Sequence, residues 1–458
     1  MEKLTRRSVL CASLATAAAG AFSRPYVANA QTKTASLWVA QGFVPEEDVA
    51  IRKLVADYAK QSGNNLDLSI IPFQPLRDKE ISAVTSGVVP DIAETADFDF
   101  APLQSWAGRL EDVGDVIETQ KSQFSEVSLV QNNFFDNVAK RRAYYAVPWK
   151  AASVPFHIWK SLVEKGGAKV SDIPDTWTAF LDFFKPLQKR LQAQGMRHTY
   201  SYGWEISTVG VDPINTFNTF MIAYGGKDLV TPDGKAHVDD PKVKQAVAKA
   251  MARLASDFTE GYVPHSVVNW NDADDNNAFH SKLCVMDFDG SLSTELALIH
   301  NKQDYDDMLT HGIPNDDEGK PIPAQVATFA CVVPKGAKNP VVAKDFLKYA
   351  IQPEVLSNYL KGGLGRWAMP MSEYAKKDPW WGNSDDPHRR EYFQETMFGP
   401  TMPIYEGYSP AIAQANAEHV FQIGIAAIAT HGAHPEAAAE TALKRIDEIF
   451  AKYPIKST

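Results

Sequence analysis

The chain has 458 residues, a formal net charge of −10, and a composition that is 45% hydrophobic and 11% aromatic. That is enough apolar material to bury a sizeable core, and at this length two lobes are the prior expectation. An acidic chain without a basic stripe is a poor partner for nucleic-acid phosphates or anionic lipid, so no nucleic acid is expected among its partners and the charge chiefly signals solubility.

The N-terminus carries Arg6 and Arg7 followed by Ser8, Val9 and Leu10, then a small apolar stretch from Cys11 to Phe22, then Ala28-Asn29-Ala30. A positive region, an apolar region and an A-x-A site predict a cleaved twin-arginine signal over residues 1–30 and delivery to the periplasm. The apolar run is far short of the ~20 residues a membrane span needs. Leu10 also stands where a lipoprotein site would require a small residue. Cleavage removes Lys3, Arg6, Arg7, Arg24 and Glu2, which leaves the rest more acidic.

Ser36 to Ala40 is a short apolar run, and Ile51, Leu54, Val55 and Tyr58 then recur at helical spacing up to Gly63. Leu66 to Phe73 alternates like a strand, Leu76 to Ser86 reads as a helix ended by Gly87, and PDIAETA opens another strand. Strand and helix in such alternation predict a mostly parallel sheet of α/β type. The stretch from Trp149 to Leu283 is mainly helical in pattern. Ala343, Phe346, Leu347 and Ala350 repeat at helical spacing, and a last helix starts at Pro435 with Leu443, Ile446 and Phe450 on one face.

Several kinds of chemistry are missing. H-E-x-x-H, G-x-S-x-G, a Walker A loop and C-x-x-C do not occur, and GGLGR at Gly362 lacks the last glycine of a dinucleotide fingerprint. No cofactor and no catalytic residue are therefore expected, although two of the 56 acidic residues could still meet in a cleft as a glycosidase pair. Asp272, Asp274 and Asn276 begin like a calcium loop, but Asn277 stands in place of the loop glycine and Leu283 in place of its bidentate glutamate. No metal is expected there. Cys284 and Cys331 lie in apolar, strand-like stretches and read as buried thiols.

Ten tryptophans are many for this length, and several sit in polar, loop-like surroundings. A sugar ring has an apolar C–H face and a hydroxyl rim, so its receptor needs flat aromatic faces beside carboxylates, amides or guanidinium groups. Trp204-Glu205, Trp270-Asn271 and Arg366-Trp367 each put both kinds together, and Trp149-Lys150 is a further candidate pair.

GVVPDIAE, FAPLQSWAGRLEDVGDVI, AYYAVPWKAASVPFHIWKSLVEKGG and IPDTWTAF follow one another in the first half of the chain. In that order they resemble the N-terminal half of extracellular solute-binding proteins of the sugar-binding family 1, similar in plan to maltose-binding protein. AFHSKLCVMDFDGSL, ATFACVVPKGAKNPVVAKDFLKYAI and GRWAMP are similar to later segments of that family. Ser281 stands where the family usually has glycine, and Cys284 where it commonly has alanine.

The resemblance implies an α/β, two-lobe periplasmic binding protein fold with a hinge and an interlobe cleft. Carried onto this chain, the crossings fall near Val147–Ala151, Asp289–Ser291 and Pro334–Gly336. The N-terminal lobe is then 31–149 plus 291–335 and the C-terminal lobe 150–290 plus 336–458. Ligand contacts are expected from Gln41 and Phe43 after the first strand and from Asp97 and Asp99 after the PDIAE strand. Trp149, Lys150, Trp204, Glu205, Trp270, Asn271, Asp289, Gly290, Arg366 and Trp367 complete the set. The implied role is a monomeric, non-enzymatic subunit that captures a carbohydrate for an ABC permease. A polyamine, which would need carboxylates around aromatics, a glycerol-phosphate-type cargo, and glycoside processing are the alternatives.

Overall fold

The computed structural model describes residues 33–96 and 100–455, so the signal expected at 1–30 lies outside the described residues. The chain opens with β1 (Thr34–Ala40), β2 (Asn65–Ile71) and β3 (Ile92–Ala96). β1 pairs in parallel with both β2 and β3. Parallel neighbours need crossovers, and the helices Pro45–Ser62 and Phe73–Ser86 supply them. The sequence explains why the first of these forms. Proline occupies its first turn together with Glu46, Glu47 and Asp48, whose charges suit the positive end of the helix dipole. Gly63, at φ 74°, ends it and donates its N–H to the Ala59 carbonyl at 3.0 Å.

A small hairpin of β4 (Asn133–Asp136) and β5 (Arg141–Tyr144) precedes β6 (Val147–Ala152), a strand buried on every residue. Ser153, Val154 and Pro155 then interrupt the extended chain before β7 (Phe156–Trp159). β8 (Tyr200–Tyr202), β9 (Cys284–Phe288) and β10 (Met308–His311) follow, and the last strands are β11 (Ala324–Val332) and β12 (Thr401–Pro403).

These strands build two main sheets. The first runs β12-β11-β3-β1-β2, with β6 also on β11, and the second runs β10-β7-β9-β8. Parallel pairing dominates β2-β1-β3, as the alternation of elements predicts, but β11 runs antiparallel to β3 and to β6. In the second sheet only β8 and β9 are parallel. The two-lobe expectation therefore holds, with a sheet at the centre of each lobe, and the chain passes between them at Ser153–Pro155, again after β9, on either side of β10 and after β12.

Each sheet has its own apolar core. Leu37, Val39, Ile92, Val147 and Val333 share one cluster with residues 343–393, including Phe346, Leu356 and Trp381. Phe156, Trp177, Phe217, Met286, Tyr405 and Ile446 belong to the other. Two details differ from the sequence expectation. Residues 343–393, expected in the second lobe, pack on the first sheet because their helices bury Ala343, Phe346 and Leu347 there. The strand that ends ahead of Pro334 also stays in the first sheet, where Pro334 bridges Leu110, so Pro334–Gly336 is not a crossing.

Helix Trp177–Ala193 illustrates how the second core is made. Trp177, Phe180, Leu181, Phe184, Leu187 and Leu191 recur every three or four residues and are all fully buried. Phe180 meets Phe156 of β7 at 4.8 Å between ring centroids, and Phe156 meets Phe288 of β9 at 4.6 Å. Cys284 and Cys331 are both buried free thiols on different sheets. Among the described residues no helix is long and apolar enough to cross a membrane. Phe180→Ala should cost about 3–5 kcal/mol in urea unfolding, since it removes a ring from a packed site with nothing to refill it; a loss below about 1 kcal/mol would mean that this core collapses freely around the gap.

Candidate functional site

A cavity of about 590 Å³ opens between the two sheets, within the size range of small-ligand sites. Its first wall is set by β1 and the loop behind it. Gln41 and Phe43 follow β1, and Phe329 of β11, Tyr359, Arg366 and Trp367 complete an aromatic surface. Phe43 is 40% exposed. The Trp367 ring packs against Phe329 with centroids 4.3 Å apart, and the Arg366 guanidinium lies over both Trp367, at 4.5 Å, and Phe43, at 5.2 Å.

Two buried carboxylates hold that wall. Glu47, 7% exposed, accepts from the Phe43 N–H at 2.8 Å and from Trp367 Nε1 at 2.8 Å, and pairs with Arg366 Nη1 at 3.2 Å. Burial pushes the Glu47 carboxyl up, but the charges of Arg366 and Lys150 outweigh it and hold the group below its usual value. Glu94 of β3 accepts from the Ala40 N–H and from Trp149 Nε1, each at 2.9 Å, and pairs with Lys150 Nζ at 2.5 Å. Lys150 is also within 6 Å of the Trp149, Tyr359 and Trp367 rings, at 5.5, 5.8 and 5.6 Å. Both cations on this wall are thus neutralised by carboxylates behind it.

The second wall is made of acids and amides. Asn271, Asp272, Asn276, Asp289 and Asp212 line it, with Gly210 in the loop between. Asp272 Oδ1 accepts the Val211 N–H at 2.6 Å and the Asp212 N–H at 3.2 Å. That close approach demands glycine at 210, where φ is 89° and a Cβ would collide with the Asp272 carboxylate. Asp289 Oδ2 accepts from Asn276 Nδ2 at 2.7 Å, Ser293 Oγ at 2.6 Å and Thr294 Oγ1 at 3.1 Å. Behind it, His157 Nε2 donates to the Asp289 carbonyl at 3.1 Å, and its Nδ1 pairs with Glu295 at 2.6 Å. Burial alone would push the His157 imidazole down, but Glu295 outweighs it and lifts it to about 9. Burial likewise pushes the Glu295 carboxyl up, and the His157 charge brings it down to about 2.

Of the residues singled out from sequence, Gln41, Phe43, Lys150, Asn271, Asp289, Gly290, Arg366 and Trp367 come together around this cavity. Asp97 and Asp99 lie outside the described residues. Trp149, Trp204, Trp270 and Glu205 do not line it. Trp149 turns into the first core. Trp204, 1% exposed, stacks on Tyr202 at 4.0 Å within the second core, and Trp270, 8% exposed, joins the same core with Nε1 on Ser266 at 2.9 Å. Their polar sequence neighbours suggest a surface loop, yet the rings satisfy the core below it. Glu205 is buried behind the wall. Sequence reasoning missed Glu47, Phe329, Tyr359 and Asp212. Glu47 and Asp212 stand in the first turns of helices, where an acid has an ordinary capping explanation, so local sequence carries no sign of their long-range role.

Two α/β lobes enclosing a cleft with an aromatic wall facing an acid–amide wall define a solute-binding protein. The chain belongs to the bacterial extracellular solute-binding protein family, whose sequence profile matches residues 53–390. A search of curated proteins gives no match. Among solved structures, the chain is similar to an ABC transporter solute-binding protein from Thermotoga lettingae bound with α-D-tagatose, with a TM-score of 0.73, 18% identity, and coverage of 91% of this chain and 100% of that one. The maltose-bound MalE3 of T. maritima is similar at 0.71, with 16% identity and 90% and 99% coverage. A solute-binding protein from Agrobacterium radiobacter in complex with ribitol is similar at 0.68, with 14% identity and 91% and 99% coverage.

The His157–Glu295 pair predicts a pH dependence. The imidazole is raised above its free value of 6.5, so its contribution is complete below 6.5 and lost as pH rises through about 9. The carboxyl is depressed below 4.5, so its contribution is complete above 4.5 and lost as pH falls towards about 2. The stability advantage of the wild type over His157→Gln should therefore peak between pH 4.5 and 6.5 and shrink towards pH 9 in urea unfolding. A difference that stays constant from pH 6.5 to 9 would refute the charged pair.

Proposed function

We propose that this protein captures a carbohydrate, whether sugar, oligosaccharide or sugar alcohol, in the interlobe cleft and delivers it to the permease of an ABC importer. It acts in the periplasm as a monomer, after export by a twin-arginine signal, and it catalyses nothing. The observation that carries the cargo class is the Trp367 face, held in one orientation by its Nε1 bond to Glu47 and set across the cavity from Asn271 and Asp289. A flat apolar surface opposite polar side chains suits a ring with one C–H face and a hydroxyl rim. The charge balance supports the same reading. Lys150 and Arg366 already hold Glu94 and Glu47, so a phosphate-bearing cargo would have to break buried pairs, and Asp289 already accepts three donors. The structural neighbours bound to tagatose, maltose and ribitol are in keeping with it.

We also assign the lobes by their cores. The first then takes 34–152 and 324–403, the second 156–289, 308–311 and 405–455, and the two close about Ser153–Pro155 and the segment after β9.

A thermal-shift screen of sugars, polyols and polyamines tests the reading, because a ligand of the folded state alone must raise the melting temperature. A carbohydrate should do so, and a shift with polyamines only would overturn the cargo class. With the cognate ligand in hand, Trp367→Ala should lose about 2–4 kcal/mol of binding by calorimetry, as a stacking hot spot does. Chromogenic glycosides should remain intact in the presence of the purified protein; turnover that follows the protein through purification would make it an enzyme.

A further inference from the structure

Asp212 on the acid–amide wall and Glu205 and Asp275 behind it each offer one carboxylate oxygen to a common space, and these oxygens all lie within 4.8 Å of one another. They come from separate segments. Glu205 follows β8, Asp212 is the first residue of the helix Asp212–Ala223, and Asp275 is in the first turn of the helix Asp274–His280. Glu205 is 2% exposed, and neither of its carboxylate oxygens has a hydrogen-bond partner among the described residues. Asp275 Oδ2 is likewise buried and unpartnered, and so is Oδ2 of the neighbouring Asp287 on β9. None of the three forms an ion pair with a lysine, arginine or histidine among the described residues.

Such a group cannot stay ionised and dry, because isolated buried carboxylates cost far more than folding can offset. Asp272, Asp287 and Asp289 stand near enough to add their own charge to the cluster. Something positive must enter, either protons or a cation. The donor geometry admits a cation: oxygens bound at about 2.3–2.6 Å to one Ca²⁺ stand up to about 5 Å apart, which encompasses the spacing found here.

We propose that Glu205, Asp212 and Asp275 form a binding site for a hard divalent cation, Ca²⁺, which ties the loop after β8 to two helix starts behind the cleft wall. All-oxygen ligation by carboxylates selects a hard ion, whereas Zn²⁺ would call for imidazole or thiolate. Mg²⁺ demands near-ideal octahedral geometry at about 2.0–2.1 Å, so carboxylate oxygens spread over up to 4.8 Å suit the longer, more flexible shell of Ca²⁺ better. The residues differ from the Asp272, Asp274, Asn276 run that looks locally like a calcium loop. The ligands converge from three places in the sequence, and only Asp275 belongs to that stretch.

The test is calorimetric titration of the chelator-stripped protein with CaCl₂ in the absence of any carbohydrate, so the result is independent of what the cleft carries. One Ca²⁺ should bind per chain, and roughly 100-fold excess over Kd should raise the melting temperature by several degrees. Glu205→Gln and Asp275→Asn should each weaken binding about tenfold or more, because each removes a ligand charge. If the wild type gives neither binding nor a thermal shift, the cluster holds protons and the proposal fails, whether or not the variants fold. It fails equally if both folded variants bind CaCl₂ as the wild type does.

Discussion

A carboxylate buried to the extent of Glu47 must have its lone pairs met by the protein, and the first wall of the cleft is arranged around that demand. The turn after β1 supplies backbone N–H groups, the 366–367 loop supplies an indole N–H and a guanidinium, and Lys150 adds a second charge nearby. The donors come from two stretches of chain and the added charge from a third, so satisfying one side chain helps fix where those segments stand. Removing the carboxylate would leave Arg366 without its partner and free the Trp367 ring to turn. Glu94 repeats the arrangement one layer deeper, joining β1, β3 and β6 through Ala40, Trp149 and Lys150.

The opposite wall follows another logic. There the carboxylates accept from backbone N–H groups, amides and hydroxyls, and cations play little part in the lining. Only behind Asp289 does a charge pair return, where His157 and Glu295 sit fully buried and hold the Asp289 carbonyl. The cleft is therefore asymmetric. One side offers fixed aromatic faces over neutralised cations, the other a set of oriented acceptors and amides. A ligand with two chemically different edges is held in a single orientation by such a pair of surfaces.

The overall plan was legible because local signals agreed with the global fold. Gly63 and Gly87 end the helices they were expected to end, the run Ala343, Phe346, Leu347 and Ala350 buries its face, and the ordered segments point to two lobes. Lobe membership after residue 336 was not legible, since an amphipathic helix shows that it has a buried face but not which sheet it covers. Site residues divided along the same line. Phe43 follows a strand and Asp289 a crossing, where position alone suggests a cleft, and Arg366 and Trp367 were placed by the resemblance of GRWAMP to a cleft loop. Trp204 and Trp270 look the same in sequence and end in a core, because a tryptophan between polar neighbours can turn either way. Glu47 and Asp212 left no trace, their partners being distant in the chain.

The break at Ser153–Pro155 has a dimensional consequence. β6 and β7 would otherwise form one continuous buried strand, along which both sheets could zip into a single surface. Pro155 has no N–H to donate, so the ladder cannot be carried through it, and β7 begins its new pairing at Phe156. Three extended residues cover only about 10 Å. Since Ser153 and Val154 also line the cavity, that short bridge acts as a gauge for the floor of the cleft. At that depth the two walls are tied together by about 10 Å of chain, so the floor is the part of the cleft whose width changes least when the lobes move.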